Sequence, residues 1–139
     1  MRIHRIIPNV SVGDVLFSST EEGVLALGYR HEENSTGLDT GLGWKKYTKN
    51  DGLECYLKDG KVACLACFAS CYWGEVDLIG KTPDELISIL GQPDEVGDQL
   101  WVDEDRQQTP FEYFSYGLQV WVESDKVVSL FCDAVEDDR

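Results

Sequence analysis

Cys64, Cys67 and Cys71 form a C-x-x-C-x-x-x-C run with Cys55 just upstream, and Cys132 is the fifth cysteine. Four thiols this close have the count of a structural zinc site or an iron–sulfur cluster. The neighbouring residues argue against one shared ion. Val62 to Phe68 reads as a strand, and an odd separation on a strand sends Cys64 and Cys67 to opposite faces. Packing thiols are expected, and no metal or other cofactor is assigned. The two histidines offer little more. His4 falls in an N-terminal strand beside Arg2 and Arg5, and His31 in a polar loop after a short helix, where surface or helix-end contacts are the expected roles. No Gly-rich phosphate loop, zinc-spaced His pair or nucleophile elbow occurs. Carboxylates alone remain for hydrolysis. The sequence therefore proposes no reaction, and a non-enzymatic protein is expected.

Carboxylates are the abundant polar group: 26 acidic against 12 basic residues in 139, a formal net charge of −14. They are unevenly placed. Residues 1–70 hold 8 basic and 9 acidic side chains, whereas 71–139 hold 4 and 17. Such a balance opposes direct contact with nucleic acid or an anionic membrane, both of which require clustered Lys and Arg. A cationic partner fits better. The densest stretch places Asp94, Glu95, Asp98, Asp103, Glu104, Asp105 and Glu112 around Leu100, Trp101 and Val102. An aromatic anchor with a carboxylate rim is the composition of a protein-binding hot spot aimed at a basic surface. Asp94, Glu95, Asp98, Trp101, Asp103, Glu104, Asp105 and Glu112 are thus the candidate partner-binding residues. A solvated charge run is the plainer alternative. A calcium loop is a third, since Asp94, Asp98 and Asp105 take the first, fifth and twelfth positions of a twelve-residue window. Val96 at position three, Gln99 where a glycine is needed and Asp in place of a final Glu weaken it.

Two pairs of segments set the frame that would hold these residues. Ser19 to Gly28 aligns without gaps over Thr82 to Gly91, each opening on a hydroxyl residue with Glu three positions on (Glu22, Glu85) and closing on glycine. Both predict short helices with capping boxes. Gly52 to Cys67 aligns over Gly117 to Cys132 with six identities in sixteen positions, each a pair of strands around a tight turn at Asp59-Gly60 or Ser124-Asp125. Trp44 to Tyr47 and Phe111 to Tyr116 supply a preceding strand. Tyr56 and Trp121 occupy equivalent positions, for which core packing is the default, and Tyr72-Trp73 lies at the junction, as packing or as an exposed corner.

The expectation is an α+β fold in one domain, 1–139, made of two tandem α-β-β-β repeats that share one core. Repeat one covers about 10–70 and repeat two about 71–133, with antiparallel sheet or sheets, helices packed alongside and an acidic tail at 134–139. Insertions at Tyr29 to Gly43 and Gln92 to Pro110 read as long loops, the second as the binding surface. No apolar run reaches membrane-spanning length, and MRIHRIIPNV has no long apolar stretch ahead of a cleavage site. With an odd cysteine count, this predicts a cytoplasmic protein with free thiols.

The segment Leu78-Ile-Gly-Lys-Thr-Pro-Asp-Glu-Leu-Ile-Ser-Ile-Leu-Gly-Gln-Pro93, followed by Gly117-Leu-Gln-Val and the Val127 strand, resembles the helix and strands of BamE-like modules. That resemblance implies a non-catalytic ligand-binding or protein-scaffold module. In overall character, small, acidic and without a catalytic motif, the chain is also similar to the immunity proteins of bacterial polymorphic and contact-dependent growth inhibition toxins. This second resemblance implies binding and neutralising a cognate basic toxin domain, often a nuclease, with carboxylates standing in for phosphates. Association would then be fast and salt-sensitive.

Overall fold

The structure is a computed structural model that describes residues 3–32 and 44–133. In chain order the elements are β1 (His4–Ile7), β2 (Ser11–Val12), β3 (Val15–Leu16), α1 (Glu21–Ala26), β4 (Arg30–His31), β5 (Trp44–Thr48), β6 (Leu53–Lys58), β7 (Lys61–Cys67), β8 (Cys71–Trp73), β9 (Val76–Asp77), α2 (Pro83–Leu90), β10 (Glu95–Val96), β11 (Leu100–Asp103), β12 (Arg106–Tyr113), β13 (Leu118–Glu123) and β14 (Lys126–Cys132), with a 3-10 turn at Phe114–Tyr116. None of the described helices is long and apolar enough to cross a membrane.

Two local turns set the register of the larger sheet. Asp59 and Gly60 have φ of 54° and 79°, and Ser124 and Asp125 have φ of 51° and 64°. Positive φ at both central residues is the two-residue I′ turn, whose twist matches that of the strands it joins. The hairpins β6–β7 and β13–β14 follow, as expected. Each carries a bulge at the equivalent place, between Tyr56 and Leu57 in one and Trp121 and Val122 in the other. An extra residue there bends the strand and increases its twist. The hairpins meet where β14 pairs antiparallel with β7, completing a nine-stranded sheet of order β10-β12-β13-β14-β7-β6-β5-β4, with β11 also paired to β12. A second sheet, of order β3-β2-β1-β8-β9, contains the parallel pair β1–β8.

Half of the described residues lie in strands and 14% in helices, which overturns the expected α+β fold of two helix-plus-three-strand repeats. The helices are only 6 and 8 residues long. Much of what reads as loop pairs into strands instead: the Gln92 to Pro110 insertion supplies β10, β11 and the first half of β12. Of the Tyr29 to Gly43 insertion, residues 33–43 lie outside the described residues, as does the 134–139 tail. One of the two capping boxes forms. Glu85 N–H donates to Thr82 Oγ1 at 3.2 Å and Thr82 N–H to Glu85 Oε1 at 2.9 Å. At α1 the N-cap is Thr20, with no side-chain cap, rather than Ser19 with Glu22. The free donor is met from elsewhere, because Glu21 N–H reaches Gly60 O at 2.9 Å and Val62 N–H reaches Ser19 O at 3.1 Å. Pairing with the β6–β7 turn replaces the cap.

The main core lies between one face of the nine-stranded sheet and a layer formed by both helices and the smaller sheet. Leu53, Leu65, Val120 and Leu130 from the large sheet join Val24 of α1, Leu86 of α2 and Val12 of β2 in one buried cluster. Cys67 and Cys71 are disulfide-bonded, which corrects the expectation that all five thiols are free; Cys55, Cys64 and Cys132 are free and buried. The bond ties the end of β7 to the start of β8, one strand from each sheet. His4 is 1% exposed rather than on the surface. Its Nε2–H donates to Asp51 O at 2.7 Å, and Tyr29 O–H donates to Asp51 Oδ2 at 3.1 Å. Trp73 packs against the core and its ring lies 4.8 Å from that of Tyr116, so the junction residue is largely internal packing.

Candidate functional site

The candidate partner-binding residues fall along one margin of the nine-stranded sheet. β12 is flanked on its outer side by two strands in turn: β10 beside its C-terminal half (Glu95 opposite Glu112) and β11 beside its N-terminal half (Leu100 opposite Gln108, Asp103 opposite Arg106). From the Glu112 level to the Arg106 level is about 20 Å at the usual strand rise. Asp94, Glu95 and Glu112 therefore lie at one end, Asp103, Glu104 and Asp105 at the other around the β11–β12 turn, and Asp98 between. The structure brings them to one edge but not into one pocket.

All four residues of β11 are exposed. Trp101 is 65% exposed, against 49% for Leu100 and 45% for Val102. The carboxylates divide by what they hold. Asp94 Oδ2 accepts from Phe114 N–H at 2.7 Å and so fixes the 3-10 turn. Glu112 Oε2 accepts from Gln119 Nε2 at 2.8 Å. Asp103 Oδ1 accepts from Asp105 N–H at 3.0 Å, and its Oδ2 pairs with Arg106 Nη1 at 3.3 Å. These three serve the fold. Glu95, Asp98, Glu104 and Asp105 are exposed and, among the described residues, hold no side-chain hydrogen bond or ion pair.

The outward face of the same sheet was missed by sequence reasoning. Trp121, expected in the core, is only half-buried and lines a groove of about 540 Å³ with Tyr56, Phe68, Val102, Phe131 and Ser129. Tyr56 is buried, as expected, with Cys64, Ala66 and Phe131, in a small cluster separate from the main core. The Trp121 indole is oriented by a relay: its Nε1–H donates to Gln119 Oε1 at 2.8 Å, and Gln119 Nε2 donates to Glu112. A second hollow of about 260 Å³ adjoins the first and shares Gln119 and Phe131 with it, while Cys64, Glu112 and Asp133 line its other side. At the rim Arg106 forks onto Glu123, with Nε 3.1 Å from both carboxylate oxygens and Nη2 at 2.9 Å, and Gln108 Nε2 adds a bond at 2.8 Å. The signal that marks this face in the sequence is apolarity in both strand phases: Tyr56 between Cys55 and Leu57, Trp121 between Val120 and Val122.

The shifted groups around this face and in the core have identifiable causes. Bonds from Arg106 and Gln108 hold the Glu123 carboxyl below its ordinary range. Burial raises the Asp133 carboxyl, with the Glu112 charge acting in the same direction against the Cys64 hydrogen bond. Burial pushes the Cys55 thiol up to about 12, with the Asp51 charge adding to it, and raises Cys64 and Cys132 as well. These thiols stay protonated at neutral pH, the opposite of an activated nucleophile. Cys64 lies in the outer cluster and Cys67 in the core cluster, on opposite faces as the odd spacing requires. Among the described residues no three His, Cys, Asp or Glu side chains converge as metal ligands, the Asp94, Asp98 and Asp105 window included. His31 is exposed, its ring 5.3 Å from that of Tyr47. No family model, curated protein or solved structure matches the chain.

Proposed function

We propose that the chain is an immunity protein, a non-catalytic binder that neutralises a cognate basic toxin domain through the β11 margin and its carboxylates. The observation that carries this reading is Trp101, 65% exposed on a strand bounded by Asp98, Asp103, Glu104 and Asp105. Covering a Trp ring of that exposure removes on the order of 100 Å² of apolar surface from water and contributes about 3 kcal/mol to association. An apolar edge strand left open is a hazard for self-pairing. Carboxylates at both ends repel a second acidic copy and attract a basic partner, so one charge pattern protects the edge and selects what covers it. The role requires neither cofactor nor nucleic acid nor membrane.

The test is co-expression with the product of an adjacent toxin gene. Growth protection by the wild-type chain, lost with Trp101→Ala in a variant that still folds, is the expected result. Protection that survives Trp101→Ala together with Glu104→Lys and Asp105→Lys would overturn the assignment. A ligand-binding or scaffold module is the second reading, favoured by the outward-facing groove at Trp121.

A further inference from the structure

We infer that the outward face of the nine-stranded sheet is a two-compartment groove for an extended polypeptide segment carrying a large apolar side chain and, two residues along, a lysine or arginine. This rests on the reading of the chain as a binder of a basic partner, and adds what that partner must present. The first compartment is walled by Tyr56, Trp121, Phe131 and Val102. Several of its polar groups are already engaged: Tyr56 O–H donates to Glu54 at 2.7 Å, Trp121 N–H to Gln119, and Gln108 to Glu123. An apolar side chain seated there leaves those donors satisfied, which is the condition for burial without penalty. The second compartment has Glu112 and Asp133 on its walls and shares Gln119 and Phe131 with the first. Two carboxylates facing one small hollow repel each other, and a cation placed between them removes that repulsion.

The distance between compartments selects the conformation of the occupant. Trp121 and Gln119 are two residues apart on β13, opposite Pro110 and Glu112 of β12. That separation is about 7 Å, the same as between side chains i and i+2 of an extended peptide. A segment lying along β13 therefore places its apolar side chain over Trp121 and its cation beside Glu112 at once. A helical segment, with its neighbours at i+3 and i+4, does not match this step.

The experiment is an NMR titration of the full chain with blocked tripeptides, reading the Trp121 indole and Gln119 side-chain amide signals. Ac-Trp-Gly-Lys-NH2 is expected to shift both signals with millimolar affinity. Ac-Trp-Gly-Glu-NH2 should bind about fivefold more weakly, the size of one partly exposed charge contact. Glu112→Gln, which keeps the bond from Gln119, should remove most of the preference for lysine without altering the fold. Glu104→Lys with Asp105→Lys, at the far turn, should leave tripeptide binding within about twofold. Equal binding of the Lys and Glu peptides, or no shift of either signal, would overturn the inference. Loss of toxin binding in the Glu104/Asp105 variant alongside unchanged tripeptide binding keeps the failure of the groove separable from failure of the β11 margin.

Discussion

Reducing the Cys67–Cys71 bond has a consequence that follows from loop length. The cysteines are four positions apart, so the closed ring is short. Chain-entropy reasoning for a ring of about five residues gives roughly 7 cal/mol/K, or about 2 kcal/mol at room temperature. Both half-cystines are fully buried in the core, so reduction leaves two small apolar side chains in place and adds little packing loss. The penalty should therefore be close to the entropic figure. With a urea slope of roughly 2 kcal/mol/M, the unfolding midpoint should fall by about 1 M when reductant is present. Tryptophan fluorescence against urea, with and without reductant, reads this directly. Thiol titration of the unreduced, unfolded protein should count three of the five cysteines. Five titratable thiols, or coincident midpoints despite complete reduction, would refute the reasoning.

Gly13 has φ of +60°, and a Cβ there would stand 2.9 Å from His4 Nδ1, so Gly13→Ala combines backbone strain with a clash against a buried ring. It should cost about 1–3 kcal/mol, read as a lowered melting temperature. Thr82→Ala removes the formed capping box and should cost about 1 kcal/mol, whereas Ser19→Ala, at a helix start held by backbone pairing, should stay within about 0.5 kcal/mol by the same melt. Glu123 and Glu85 have carboxyls held below their ordinary range, the first by Arg106 and the second by the Thr82 backbone bond. A depressed folded pKa contributes stability that is complete above the unfolded value, near 4.3, and is lost as pH falls through the folded value. Asp133, raised by burial, acts in the opposite sense and favours the folded state as pH falls. Denaturant midpoints between about pH 6 and 3 should therefore respond less favourably to acidification in the wild type than in Glu123→Gln, which lacks the carboxyl held by Arg106.

What the sequence makes legible is what is local. Asp59-Gly60 and Ser124-Asp125 announce their turns because few residues tolerate positive φ, and Thr82 with Glu85 announces α2 because cap and partner are three residues apart. The smaller sheet is not legible. Its strands are two to four residues long, too short for alternation to show, and its central pairing joins His4 to Cys71 across the chain. The strands of the Gln92 to Pro110 segment are hidden for another reason: β10 and β11 are two and four residues long and exposed throughout, so no alternation of apolar and polar residues marks them. At the candidate site, Leu100 to Val102 among carboxylates reads correctly as an exposed stretch. Which carboxylates are committed to structure does not, because Asp94 is occupied by Phe114 and Glu112 by Gln119 only once those strands are in register. Trp121 misleads for a related reason: a strand apolar in both phases does not say which face another layer covers.

The central claim is that the carboxylates of the β11 margin draw in a positively charged polypeptide. Stopped-flow association of the chain with the proposed toxin domain across a series of salt concentrations measures this most directly. The expected outcome is an on-rate that falls steeply with salt and drops about tenfold in Glu104→Lys/Asp105→Lys, with dissociation little changed. An on-rate indifferent to salt and to both substitutions would contradict it.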